Sequence, residues 1–97
     1  MIVLGIDTAL DACSVAIVRD GQQLASLSES MTRGQAERLA PMTREAAQQA
    51  AITFADIDRI TVTSGPGSFT GVRVGLSFAR ALALAVAKPC IGVSTLE

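Results

Sequence analysis

Two short segments of the sequence combine residue types that can bind phosphate, and the first closes an apolar run at the amino terminus. Gly5-Ile6-Asp7-Thr8-Ala9 places a carboxylate and a hydroxyl directly after the β-branched run Ile2 to Ile6. At the tip of a strand, such a pair can face a phosphate and its metal while the backbone amides of the turn bind the anion. Asp7 and Thr8 can equally close a turn and cap a hairpin. The sequence leaves both interpretations open.

The second segment, residues 64–71, reads Ser-Gly-Pro-Gly-Ser-Phe-Thr-Gly between a predicted strand and a predicted helix. Its glycines let the backbone turn sharply and expose amide groups at the helix amino terminus, where the helix dipole favours an anion. Its spacing matches neither a Walker loop nor a dinucleotide-binding fingerprint. The alternative is a structural turn whose glycines allow close packing of helix and sheet. The candidate anion-binding residues of the two segments are Asp7, Thr8, Gly65, Gly67, Ser68, Thr70, Gly71 and Arg73.

Other kinds of chemistry lack the residues they need. The 97 residues include no His and only two cysteines, Cys13 and Cys90, so we predict no metal site and two reduced, buried thiols. Without His, neither Ser14 nor Cys13 has the usual base for nucleophilic activation, which argues against a peptidase. The net charge of -1 and the scattered arginines provide no basic cluster for direct nucleic-acid binding.

The longest apolar stretch, Ala81 to Ala87, is too short to span a membrane, and the amino terminus lacks a basic leader. We therefore expect a soluble, cytoplasmic protein that does not bind membranes.

The hydrophobic pattern predicts five strands and two helices. Asp20-Gly21 predicts a tight hairpin, but Leu24 and Leu27 of the return strand fit strict alternation poorly. Pro41 predicts a kink or a restart of the first helix. The predicted strands are Ile2 to Ile6, Cys13 to Val18, Gln23 to Ser30, Arg59 to Thr63 and Cys90 to Val93, and the helices are Gly34 to Ala50 and Val72 to Ala87. The order β-β-β-α-β-α-β predicts an α/β fold with three antiparallel strands followed by βαβ units. A mixed sheet of this kind is the ribonuclease-H-like lobe of actin-like ATPases.

The second predicted helix is apolar nearly all round, interrupted only by Arg73, Ser77 and Arg80 near one side. A helix of this kind is expected to be buried on two sides, with a second lobe or a partner chain as the second cover. The alternative is that its many alanines tolerate exposure. Ser94 to Glu97 look like a helix cap and first turn, so we expect residues 1–97 to be one lobe from which a second lobe is missing.

Four blocks in order resemble the TsaB (YeaZ) family. They are Gly5-Ile6-Asp7-Thr8, Ala12-Cys13-Ser14-Val15-Ala16, Gly34-Gln35-Ala36-Glu37-Arg38-Leu39-Ala40-Pro41, and Gly65-Pro66-Gly67-Ser68-Phe69-Thr70-Gly71-Val72-Arg73-Val74-Gly75. The last block is the most specific of the four. The family is about twice as long as this chain, so the resemblance covers its amino-terminal lobe. One departure is Ala9, which stands where the family usually has Ser and which weakens the case for phosphate binding at that turn.

The resemblance implies an actin-like ATPase lobe without catalytic residues, metal or cofactor of its own, in which the candidate anion loop is vestigial. It implies a scaffold or activator of a TsaD-type catalytic subunit in the threonylcarbamoyladenosine (t6A) modification of tRNA. It further implies contact with a TsaE-like ATPase through that complex, which uses ATP, and a homodimer in isolation. The alternative is a nucleotide-binding or nucleotide-hydrolysing lobe, in line with older glycoprotease-like names for the family.

The resemblance also implies that the partner binds through the two helices. The predicted interface consists of Gln35, Ala36, Leu39, Ala40, Thr43, Ala47, Val72, Leu76, Ala79, Arg80 and Ala83. We expect an arginine at Ala40 or Ala79 to abolish the association without unfolding the lobe.

Overall fold

The structure, a computed structural model, describes residues 1–8, 12–30, 35–63 and 69–93, and describes only the backbone of residues 12, 35, 36, 63, 69–72, 92 and 93. Its elements in chain order are β1 (Ile2–Asp7), β2 (Ala12–Arg19), β3 (Gln22–Ser30), α1 (Gln35–Ala50), a 3-10 turn (Phe54–Asp56), β4 (Arg59–Thr63), α2 (Phe69–Val86) and β5 (Cys90–Val93). The predicted order of strands and helices is confirmed. The predicted cap at Ser94 to Glu97 lies outside the described residues.

The five strands form one sheet in the order β3-β2-β1-β4-β5. β1 and β2 are antiparallel, as are β2 and β3, whereas β4 runs parallel to both β1 and β5. The two parallel connections contain α1 and α2, since parallel neighbours need a crossover rather than a hairpin. The predicted mixed α/β sheet is therefore confirmed.

The β2–β3 hairpin turns at Asp20 and Gly21, whose φ angles are 50° and 85°. Positive φ at both positions is what a primed two-residue turn requires, and this explains the Asp-Gly pair. Ile17 pairs with Ala25 but Val18 pairs with Gln23, which leaves Leu24 as the extra residue of a bulge. That bulge is why the sequence of β3 did not follow strict alternation.

Both helices pack on the same face of the sheet. Alternating residues of β1, β2 and β4 form the buried side of the strands: Ile2, Leu4, Ile6, Cys13, Val15, Ile17, Ile60 and Val62. Leu39, Met42 and Ala46 of α1 and Ala79 and Ala83 of α2 belong to the same core cluster. The opposite face of the sheet is lined by half-buried side chains and small residues of β1, β2 and β4, and no described helix packs against it.

α1 ends at Ala50, as predicted, whereas the bounds of α2 differ from the prediction. α1 continues through Pro41 as one 16-residue helix, because burial of the flanking Leu39, Met42 and Thr43 holds this segment against the strands. α2 begins at Phe69, three residues before the predicted start at Val72.

The carboxyl ends of the two helices share one geometry. Ala51 and Ala87, with φ of 59° and 57°, follow the last residues of α1 and α2. Beyond α2, the amide of Lys88 donates to the carbonyl of Ala83 at 3.0 Å, the bond that defines a Schellman cap. Each helix is therefore followed by an alanine in a conformation that normally favours glycine.

No helix among the described ranges is long and apolar enough to cross a membrane.

Candidate functional site

The first candidate site is the sheet edge at which β1 and β4 end. Ile6 pairs with Val62 in parallel register, so Asp7 and Thr63 reach the same edge. α2, which follows β4, begins there at Phe69. The strand-tip residue Asp7 and the start of α2 thus lie at the same end of the sheet.

Thr8 has no accessible surface at all and lies against α2. A Cβ added at Gly75 would overlap Thr8 Oγ1 and would come within 3.3 Å of Thr8 Cβ and Cγ2. Gly75 is therefore required for the end of β1 to approach the helix this closely. Both Asp7 and Thr8 make polar interactions in the structure. Because its side chain is enclosed, Thr8 is a packing residue at this edge rather than a surface ligand.

The other candidate anion-binding residues fall in three places. Gly65, Gly67 and Ser68 lie outside the described residues, so the loop prediction remains a prediction. Thr70 and Gly71 belong to the first turn of α2 rather than to a loop. Arg73 follows in the same helix with an exposed side chain.

Asp7 also lines a cavity of about 320 Å³ on the open face of the sheet. Small and hydroxyl-bearing residues of neighbouring strands surround it, among them Gly5, Ser14, Ser28 and Thr61. Ser14 Oγ and Ser28 Oγ lie 2.9 Å apart and share a hydrogen bond. Within the described part of the chain, no three His, Cys, Asp or Glu side chains come together as metal ligands. Asp7 is thus the carboxylate among the residues that line this cavity.

An ion pair attaches α1 to the edge of the sheet. Arg38 Nε donates to both carboxylate oxygens of Glu29, at 3.0 and 2.9 Å, and a terminal guanidinium nitrogen donates to Oε2 at 2.6 Å. These hydrogen bonds lower the pKa of Glu29 below its usual range. Burial raises the pKa of the nearby Cys13 thiol, and the charge of Glu29 adds to that effect. Cys13 is therefore a protonated core thiol and not an activated nucleophile.

The second candidate site is the outer side of the two helices. Five residues of the predicted interface are buried in the core of the chain itself: Leu39, Thr43, Ala47, Ala79 and Ala83. Thr43 Oγ1 donates to the carbonyl of Leu39 at 2.7 Å, which leaves that hydroxyl engaged within α1. These five side chains face the sheet because a stripe of small residues lets a helix lie close to the strands. Ala79 has no accessible surface, so an arginine at that position is expected to unfold the lobe.

The remaining predicted interface residues differ in their exposure. Ala40 and Leu76 are half-buried and Arg80 is exposed, whereas the side chains of Gln35, Ala36 and Val72 lie outside the description. The exposed side of α2 has Arg73, Ser77 and Arg80 at the positions predicted to be polar.

The sequence analysis missed an apolar part of the same exposed side. Ala81, Leu84 and Ala85 face solvent towards the carboxyl end of α2, and the Leu84 side chain is 83% exposed. The exposure of Leu84 could have been predicted from its position four residues after Arg80, since residues four apart lie on one helix face. α2 is thus covered on one side and open on the other, and its open side is mixed in polarity.

The fold has counterparts among solved structures. YeaZ from Pseudomonas aeruginosa superposes with a TM-score of 0.89 at 39% identity, over 96% of this chain and 43% of that chain. Two more distant structures share the fold alone. RuvC of Thermus thermophilus in complex with a Holliday junction has a TM-score of 0.67 at 13% identity, and the ROK hexokinase of T. thermophilus has 0.66 at 19%. The predicted ribonuclease-H-like, actin-like lobe is confirmed.

The sequence relatives agree with the structural comparison. A family model described as "TsaD: tRNA N6-adenosine threonylcarbamoyltransferase" matches residues 26–97. The Escherichia coli protein named tRNA threonylcarbamoyladenosine biosynthesis protein TsaB is 44% identical over 99% of this chain and 41% of its own length. A tRNA N6-adenosine threonylcarbamoyltransferase of Erythrobacter litoralis is 39% identical over 99% of this chain and 33% of its own length. The chain thus spans less than half the length of these relatives.

Proposed function

The chain belongs to the TsaD-type family of tRNA N6-adenosine threonylcarbamoyltransferase proteins, and because it also resembles TsaB and YeaZ over nearly its whole length, we propose that it is the non-catalytic subunit that binds the TsaD-type catalytic subunit in t6A synthesis. In this role it contributes one lobe of a scaffold and no reacting group.

The observation that carries the proposal is the outer side of α2. Ala81, Leu84 and Ala85 are exposed together there, and a leucine 83% exposed in a helix is a large apolar side chain left in water. Burial of such a side chain contributes about 1.5–3 kcal/mol, which is a sizeable part of a protein–protein affinity. The alanines on either side let a second helix approach closely. The surface therefore fits a docked helix better than a small ligand.

The described residues give little support to catalysis. Among the described residues, Asp7 is the carboxylate in the lining of the cavity, while the nearby Thr8 is enclosed. The full sequence contains no His for acid–base chemistry. A subunit that activates a catalytic partner needs neither group.

The test measures binding between the full-length protein and the TsaD-type subunit of the same organism by calorimetry. Ala81→Arg places a charged side chain on the exposed helix face and is expected to abolish binding while the melting temperature stays within about 2 °C, as for other surface changes. Gln22→Arg, which lies on the exposed hairpin away from both helices, is the matched control. Full affinity of Ala81→Arg would overturn the proposal for this surface. Absence of binding by the unmodified protein would overturn the function.

A nucleotide-binding lobe is the second candidate, and the position of Asp7 at the strand edge next to α2 favours it. This candidate function predicts that the protein binds ATP and that the Asp7→Ala variant binds it more weakly. Calorimetry with MgATP and the full-length protein decides between the two, because the docking subunit binds its partner without binding ATP.

The proposal extends to the setting of the complex. We place the protein in the cytoplasm, where tRNA is modified, with a TsaE-like ATPase joining through the TsaD-type subunit. In the absence of its partner, the protein is proposed to form a homodimer. Sedimentation of the full-length protein alone and with the TsaD-type subunit tests both assemblies.

A further inference from the structure

A groove lies at the carboxyl end of α2, where the helix passes into β5. Its volume is about 640 Å³, and its lining consists of Arg80, Ala83, Leu84, Ala87, Lys88 and Cys90. Four of these six residues are apolar. Leu84 is the most exposed large hydrophobic residue of the described chain, at 83%.

The polar residues of the groove are both cations. Arg80 is exposed and Lys88 is half-buried, and no acidic residue belongs to the lining. The ion pairs between described residues join Met1 to Asp20 and Arg38 to Glu29, so neither groove cation has an anionic partner within this part of the chain.

The helix dipole accounts for only part of this arrangement. Lys88 lies just beyond the carboxyl end of α2, where the dipole favours a positive charge. Arg80 lies nearly two turns earlier, beyond the range of that effect, and the dipole gives no reason for Leu84 to be exposed. An apolar surface between two positive charges is complementary to an apolar side chain flanked by carboxylates.

We propose that this groove docks an acidic, amphipathic segment of the TsaD-type subunit, with an aliphatic side chain against Leu84 and carboxylates on Arg80 and Lys88. The inference rests on the proposed function and adds to it the charge of the partner segment and its place on α2.

A second copy of this chain fits the groove less well. A two-fold contact centred on Leu84 brings the same patch of both copies together, so the Arg80 and Lys88 of one copy would approach those of the other. Like charges brought together at an interface are costly. A partner segment of opposite charge removes this cost and adds attraction.

The experiment measures the affinity of the full-length protein for the purified TsaD-type subunit at 50 and 300 mM NaCl by calorimetry. Arg80→Glu, Lys88→Glu and Leu84→Ser are each expected to weaken binding about ten-fold at low salt, as for residues at the centre of an interface. The conservative variants Arg80→Lys and Lys88→Arg retain most of the affinity. Arg19→Glu, a charge reversal at the exposed end of β2 outside the groove, leaves it within about two-fold, as for charges remote from an interface. Raising the NaCl concentration to 300 mM weakens the binding of the unmodified protein more than that of the Lys88→Glu variant, since salt screens the attraction between opposite charges.

Several outcomes overturn the proposal. If Arg80→Glu and Lys88→Glu bind like the unmodified protein while Ala81→Arg does not bind, the groove is not the contact and the proposed function stands. If Leu84→Ser dissociates a homodimer in sedimentation but leaves the affinity for the TsaD-type subunit unchanged, the occupant is a second copy. If the unmodified protein does not bind the subunit, the groove proposal and the proposed function are both wrong. Lys88→Gln, a milder change, replaces Lys88→Glu if circular dichroism shows that the latter has unfolded.

Discussion

Gly75→Ala tests how the sheet edge is coupled to α2. Gly75 is a buried residue in the interior of α2, and the site of its missing Cβ is occupied by the hydroxyl of Thr8. In an isolated helix, alanine at this position would be favourable by about 0.8–1 kcal/mol relative to glycine. In this protein, the methyl group must displace Thr8, the helix or both. The two effects have opposite signs, so the measured sign decides which one dominates.

The magnitude follows from the contacts. The added Cβ overlaps Thr8 Oγ1 and lies within 3.3 Å of Thr8 Cβ and Cγ2, so three atoms are crowded at once. Thr8 is fully enclosed and cannot rotate into solvent. Overpacking of this kind costs about 1–3 kcal/mol, and displacement of an engaged buried hydroxyl adds about 1–3 kcal/mol. After the gain in helix propensity is subtracted, we expect a net loss of about 1–5 kcal/mol of unfolding free energy.

Urea and thermal unfolding followed by circular dichroism measure this loss, which corresponds to a melting temperature lower by at least about 4 °C for a unit of this size. A double-mutant cycle with Thr8→Ala provides the control, because this change removes Oγ1 and Cγ2 and leaves only the Cβ near the new methyl group. In the Thr8→Ala background, Gly75→Ala is expected to be neutral or stabilising. If Gly75→Ala raises the melting temperature of the unmodified protein, the close contact between Thr8 and α2 does not exist and the reasoning is refuted.

Three further predictions concern the helix end, the ion pair and the core thiol. Ala87→Gly relieves the positive φ after α2 and is expected to stabilise by about 0.5–1 kcal/mol, whereas Ala85→Gly within the exposed helix face costs about 1 kcal/mol. Equal effects in urea unfolding would contradict this. The pKa of Glu29 is lowered by Arg38, so the pair stabilises the fold above the usual glutamate range and less as the pH falls through the lowered pKa. Glu29→Gln should therefore lower the melting temperature at pH 7 but not at pH 2–3. Cys13 is buried with a raised pKa, so at pH 8 its reaction with a disulfide reagent should be much slower than that of a free thiol, and rapid labelling would disprove its burial.

The sequence predicted the fold well because its signals were local. The strand bounds Arg59 to Thr63 and Cys90 to Val93 agree with β4 and β5, since each is a short apolar run between helices and turns. β3 was harder to place because the bulge at Leu24 shifts the alternation by one residue, and a single sequence does not show a bulge. The core was predictable for the same reason as the strands, from alternation of aliphatic side chains.

The predicted interface includes buried residues because α2 is apolar on more than one side. When several helix faces are apolar, periodicity alone does not decide which face meets the sheet. Ala79 and Ala83 were predicted to face a partner, but both are buried, and Leu84 was not selected although it is exposed. Packing against the strands resolves the ambiguity, and packing is a property of the tertiary structure.

The rotation of α2 about its axis is fixed by small residues. Gly75, Ala79 and Ala83 are spaced four residues apart, and all three are buried against the sheet. Thr8 leaves room at the first of these positions for a hydrogen atom and nothing larger. Leu84 follows Gly75 by nine residues, which is about two and a half helical turns, so a helix that turns Gly75 inward must turn Leu84 outward. The contact at the end of β1 therefore determines which side of α2 is exposed. A Gly75 substitution that rotates the helix should weaken binding of the TsaD-type subunit even in molecules that remain folded.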